Sequence, residues 1–240
     1  MTVALCKSFL PDRSVSTRIV RGPFRGAAVV MNPRTSLRKI CGLYERELNP
    51  WLEEVLPRVV RVLDVGANDG YFTFGCAAAF RRLGRAGEII AFEPQQELMD
   101  MLRESVKKQP AGETEIVLCQ ASVGTEVGPG ITTLDAVRWN NGDPEGRTGA
   151  LVKIDVGGAE LEVVKAASSW LNSGNYFVIE VHEESIRERI VHAFSVRGLK
   201  LNRLDQRPLP FIGHEMRSER NWWLVSDLAP IRRENSLERI

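Results

Sequence analysis

The stretch VLDVGANDGYFT, residues 62–73, reads as a strand that breaks at glycine and leaves as a helix. Val62, Leu63 and Val65 suit a strand buried on both faces, and Gly66 and Gly70 permit a tight turn that brings backbone close to a ligand. Phe72, Cys76, Ala79, Phe80 and Leu83 then recur at helical spacing. Outward from this unit the alternation continues. EIIAF (88–92) is a strand, and Pro94 opens a helix with Leu98, Leu102 and Val106 on one face. TEIVLC (114–119) and LVKIDV (151–156) are strands, the second followed by a helix with Leu161, Val164, Ala167 and Leu171 inward. YFVIEVH (176–182) precedes a helix carrying Ile186, Ile190, Val191 and Phe194, and LKLNRL with NWWLVS closes the chain as a hairpin at one sheet edge. Strands alternating with helices predict an α/β fold with a parallel sheet covered on both faces. The region from Gly124 to Gly149 reads as loop apart from the run ITTLDAV.

The 240 residues carry 32 Lys+Arg against 31 Asp+Glu, a net charge of +1, with 43% hydrophobic and 26% charged residues. Those values describe a globular chain of one large domain and remove the global case for nucleic acid or an anionic membrane as main partner. Charge is unevenly placed: residues 1–40 hold eight basic residues against Asp12, so that segment is +7 and the remainder −6. It reads first as a solvated face, and in a sharper version as a guide for an anionic acceptor. Cys6, Cys41, Cys76 and Cys119 lack C-x-x-C spacing and read as reduced core residues. With no apolar run of membrane-spanning length and no signal pattern, a cytoplasmic protein is expected.

Residues 1–57 form an N-terminal extension, with a hairpin around RGPFRG and a lead-in helix that Asn49 caps, Pro50 opens and Pro57 ends. Residues 58–240 form the main domain.

In an open parallel sheet, ligands bind beyond the carboxyl ends of the strands where strand order reverses. Asn68 stands where the dinucleotide fingerprint needs its middle glycine, so the turn does not predict NAD. An acid before the turn, Asp64, suits a ligand bearing a cationic amine. Glu93 ends the next strand and suits ribose hydroxyls. The pair favours S-adenosylmethionine.

The motifs VLDVGANDGYFT, IIAFEPQQELMDML, ITTLDAV, LVKIDVGGAELEVVKAA and FVIEVH occur in that order, and the chain resembles the FkbM-type methyltransferases from about residue 18 to 227. These are class I S-adenosylmethionine-dependent enzymes that mostly methylate hydroxyl groups. The resemblance implies a Rossmann-like three-layer sandwich whose seven-stranded, mostly parallel sheet has one antiparallel strand. It implies methionine-end contacts at Asp64, Gly66 and Asn68, ribose contacts at Glu93 and adenine contacts near Ala121 and Ser122. Gly70 and Pro94 complete the expected cofactor set. Tyr44 and Glu45, within GLYEREL, are placed near the cofactor mouth as substrate-binding residues. The implied acceptor is a hydroxyl on a sugar, glycan or secondary metabolite, with a non-catalytic cofactor-binding relative as the alternative. Two departures bear on that choice. Gly157 replaces a glutamate usual in the family, and the stretch between SVG and TLD is shorter.

Methyl transfer needs an aligned acceptor oxygen and a destination for one proton. Candidates are Asp155, Glu160, Glu180 and His182, the last two sharing a strand face by the period-two rule. His182 suits a general base at neutral pH. Alternatively Asp155, Glu180 and His182 hold a magnesium ion that acidifies the hydroxyl. Glu160 has the plainer reading of a helix N-terminal acid. His192 and His214 read as structural, and Trp222 and Trp223 as packing on opposite sheet faces.

Overall fold

The computed structural model describes residues 10–140, 146, 149–205 and 222–228. Cys6, His214 and the connection before the last strand lie outside the described residues.

A hairpin comes first: β1 (Val15–Arg18) pairs antiparallel with β2 (Ala28–Met31). Helix α1 (Leu37–Ile40) follows, and a 3₁₀ turn, Arg46–Leu48, runs directly into α2 (Asn49–Val55). The preceding turn places Asn49 inside the helix, where it makes no side-chain cap. Pro57 sits within a second 3₁₀ turn, Leu56–Arg58, and the element runs past it.

The main sheet takes β3 (Arg61–Val65), β4 (Gly87–Phe92), β5 (Thr114–Cys119), β8 (Ala150–Ile154), β9 (Tyr176–Val181), β10 (Leu201–Leu204) and β11 (Trp222–Ser226). A small parallel pair, β6 (Ser122–Val123) with β7 (Ile131–Thr132), lies outside it. The helices between the strands are α3 (Tyr71–Arg82), α4 (Gln96–Lys107), α5 (Glu160–Lys165) and α6 (Glu184–Ser195).

Spatial order is β10-β11-β9-β8-β3-β4-β5, with β11 antiparallel to both neighbours and the other pairings parallel. The chain runs outward through β3, β4 and β5 and then returns to the other side of β3 as β8. That reversal opens a crevice between the carboxyl ends of β3, β4 and β8.

Alternation along the strands feeds two cores. Val62, Ile89, Leu151, Val178 and Trp223 face α2, α3 and α4, whereas Leu63, Ile90, Val152, Ile179 and Trp222 face α5 and α6. Trp222 and Trp223 therefore pack on opposite sheet faces.

Helix α3 is buried on all sides from Tyr71 to Phe80 because the extension covers its outer face. Phe24 meets Tyr71 and Phe72 edge-on at 5.2 and 5.4 Å, and it sits so close over Gly75 that a Cβ there would fall 2.3 Å from its ring. Side chains on both sides of residue 57 share this core.

The inward face of α4 is Met99, Leu102 and Ser105, while Val106 is exposed. Ser105 turns inward because its hydroxyl accepts the Val30 amide of β2 at 2.9 Å. From Gly124 to Asn140 the backbone is irregular apart from β7 and a 3₁₀ turn, Leu134–Ala136, but it packs well: Leu134, Val137 and Trp139 are buried against the α5–α6 core. Asp135 fastens it there, accepting from the amides of Ser168 and Ser169 at 3.0 Å each and from both hydroxyls.

Candidate active site

The β3–α3 turn is built by three residues in the left-handed region, Gly66 (φ 84), Asn68 (φ 51) and Gly70 (φ 86). The amides of Gly66 and Ala67 donate to the Phe92 carbonyl at the tip of β4, at 3.1 and 2.9 Å. Gly66 has a second reason to be glycine: a Cβ would lie 1.9 Å from the Asp155 carbonyl oxygen. Turn, β4 tip and β8 tip are thus in mutual backbone contact.

Over them lies a cavity of about 400 Å³ lined by Gly66, Asn68, Glu93, Pro94, Ala121, Ser122 and Asp155, with Phe92, Leu98 and Val156 among the apolar walls. Seven of the residues expected at the site share this one cleft. The Glu93 carboxylate is nearly buried, and each oxygen is held by a backbone amide, Asn68 at 2.9 Å and Gln95 at 3.0 Å.

Asp64 does not line the cleft. It is fully buried beneath the turn, where Thr73 donates to it at 2.5 Å and the Lys153 ammonium approaches to 3.5 Å. Gly70 also lies below, against Phe74 and Leu102. Tyr44 and Glu45 sit beside the turn and not in the cleft wall. The Lys39 ammonium stands 4.8 Å from the centre of the Tyr44 ring and pairs with Asp69 at 2.6 Å.

Lys153, not singled out from the sequence, organises this layer. Its ammonium reaches Asp155 at 3.2 Å, Asp64 at 3.5 Å and the Gly66 carbonyl at 3.2 Å. Burial opposes its charge, but Asp155, Asp64 and Glu45 outweigh burial and hold its pKa above the ordinary lysine value. Lys153 is therefore a cation at any physiological pH.

Beyond Asp155, on the side away from Glu93, stand Glu160, Glu180 and His182. Glu160 is fully buried at the start of α5, where its Oε1 accepts the Gly158 amide at 2.8 Å and lies 2.9 Å from His182 Nδ1. The ring then presents Nε2 toward Glu180, whose Oε2 is 3.9 Å away. His192 lies apart from this group, on α6.

Gly157 and Gly158 turn the chain between β8 and α5 with φ 68 and 112, a conformation that any side chain would strain. A glutamate at 157 would have open space around it but an unfavourable backbone.

Burial raises the Glu160 carboxyl, yet hydrogen bonds from His182 and Gly158 outweigh it and hold the group below its ordinary value of 4.5. A depressed carboxyl stabilises the fold at neutral pH and loses that contribution as pH falls below about 4.5. Urea unfolding of wild type and Glu160→Gln is expected to show their stability gap shrinking between about pH 7 and about pH 3.

The architecture has solved counterparts. FkbM methyltransferase from Methylobacillus flagellatus KT superposes with a TM-score of 0.53 at 15% identity, over 71% of this chain and 44% of that one. The likeness is one of fold. Together with the strand order it establishes a Rossmann-like methyltransferase fold, and this chain spans less than half of that protein's length. A putative methyltransferase, yhhF from Escherichia coli, aligns at 14% identity over 88% of this chain and 97% of its own, TM-score 0.49. Precorrin-6y C5,15-methyltransferase from Geobacter metallireducens GS-15 aligns at 15% identity over 72% and 84%, TM-score 0.45. No protein-family model and no curated protein matches the sequence. Among the described residues, no helix is long and apolar enough to cross a membrane.

Proposed function

We propose that this chain is an S-adenosylmethionine-dependent methyltransferase acting on a hydroxyl group of a sugar, glycan or secondary metabolite. The observation that carries the reading is Glu93: a carboxylate fixed by two backbone amides, at the tip of the second parallel strand, opening onto a cleft at the sheet's switch point. A volume of about 400 Å³ lies within the range of small-ligand sites, and the lining fits a nucleoside bearing an amino-acid tail. Bound S-adenosylmethionine would supply a methyl group already activated on a sulfonium.

Glu93 accepts hydrogen bonds from ribose hydroxyls, and Ala121 and Ser122 with Pro94 flank the base. Gly66 and Asn68 lie against the methionine end. Asp155 takes the methionine-end part expected of Asp64, because it lines the cleft while Asp64 lies below it. The Asp155–Glu180–His182 group receives the acceptor oxygen and manages its proton, with Glu160 positioning the imidazole. The basic N-terminal segment favours an anionic acceptor.

Calorimetric titration with S-adenosylhomocysteine tests the cofactor half. Wild type is expected to bind, and Glu93→Ala to bind about 100-fold more weakly, the loss of two hydrogen bonds to a charged group. Unchanged affinity in that variant would remove Glu93 from the site.

A further inference from the structure

We propose that Asp155, Glu180 and His182 form a divalent-cation site beside the cleft. The site deepens the methyltransferase reading and depends on it only for its role in transfer. Sheet geometry brings the three together. Asp155 follows the end of β8, Glu180 lies in the adjacent parallel strand β9, and His182 shares its face two residues on. One donor atom from each lies within 4.8 Å of the other two. Around an octahedral ion with bonds of about 2.1 Å, adjacent donors stand about 3 Å apart and opposite ones about 4.2 Å, so side-chain movements of about 1–2 Å would close the set.

The histidine is prepared as a ligand. Glu160 occupies Nδ1 at 2.9 Å, which leaves Nε2 facing Glu180 at 3.9 Å, and ligating histidines are held by a second carboxylate in this way. One imidazole and two carboxylates, with no sulfur, suit Mn²⁺ or Mg²⁺ with water completing the shell. Asp155 lines the cofactor cleft as well, so an acceptor hydroxyl on such an ion would sit next to it. Its O–H bond would be more acidic there. The proton would leave to water, with no change in oxidation state.

The test is a titration of the full chain with MnCl2, followed by the electron paramagnetic resonance signal of unbound Mn²⁺, with melting temperatures read in parallel. Wild type is expected to bind one equivalent and to release it to excess Mg²⁺. Glu180→Gln and Asp155→Asn should each weaken binding at least about tenfold, and Glu160→Gln about 10- to 100-fold although it touches no ion. Mn²⁺ that does not bind at millimolar concentration, or binds equally well to a folded Glu180→Gln variant, would overturn the site and leave His182 in a plain ion pair. S-Adenosylhomocysteine affinity, measured without metal, reports on the nucleoside reading separately.

Discussion

Gly66→Ala is expected to abolish stable folding. The added methyl would lie 1.9 Å from the Asp155 carbonyl oxygen, and the position needs φ 84, so collision and backbone strain act together. Relief requires β3 and β8 to separate at the point where the Asp155 amide bonds the Val65 carbonyl at 2.9 Å. Backbone cannot swing aside as a flexible side chain does. The expected loss is above about 4 kcal/mol, in the range reserved for the most disruptive single substitutions. Circular dichroism melting of the purified variant, or its recovery only in inclusion bodies, checks this. A cooperative transition within a few degrees of wild type would contradict the turn geometry.

Lys153→Met is expected to cost about 3–5 kcal/mol, the usual consequence of removing one partner of a buried ion pair. Asp64 would remain fully buried with Thr73 still donating to it, and Asp155 would lose its 3.2 Å contact. For a chain of this size that is a fall in melting temperature of roughly 6–20 °C. The double variant Asp64→Asn/Lys153→Met should recover much of the loss, since no fully buried carboxylate is then stranded and Asp155, a quarter exposed, keeps access to water. If the double variant were less stable than the single, the pair would not be the source of the cost.

The strand and helix alternation was legible because each strand is a short apolar run and each crossover has helical spacing. Asp64 is buried below the cleft, and the period-two rule contains the reason. Leu63 and Val65 face α5 and α6, so Asp64 faces α3 with Val62 and meets Thr73 there. Its partner was equally present in the sequence. Asp64 and Lys153 are directly opposed in the β3–β8 register, two opposite charges at matching positions in strands that are otherwise apolar beyond Arg61. Pairing of strands distant in sequence is what no local pattern reveals. Glu93 and Asp155 each come just after the last residue of a parallel strand, a position that opens toward the crevice whichever strand lies beside it. The placing of Tyr44 and Glu45 rests on resemblance alone; the chain turns left-handed at Glu45 (φ 50), and the Tyr44 ring meets Tyr71, at the start of α3, edge-on at 5.4 Å.

The seat of Phe24 over Gly75 bears on how this protein can change over time. A helix that is greasy all round has lost the polar side that would let it meet water. Its wrapping is now obligatory. Any lineage that trimmed the chain ahead of residue 58 would have to repaint the outside of α3 or recruit a neighbour to shield it, so the front segment and that helix can only drift in concert.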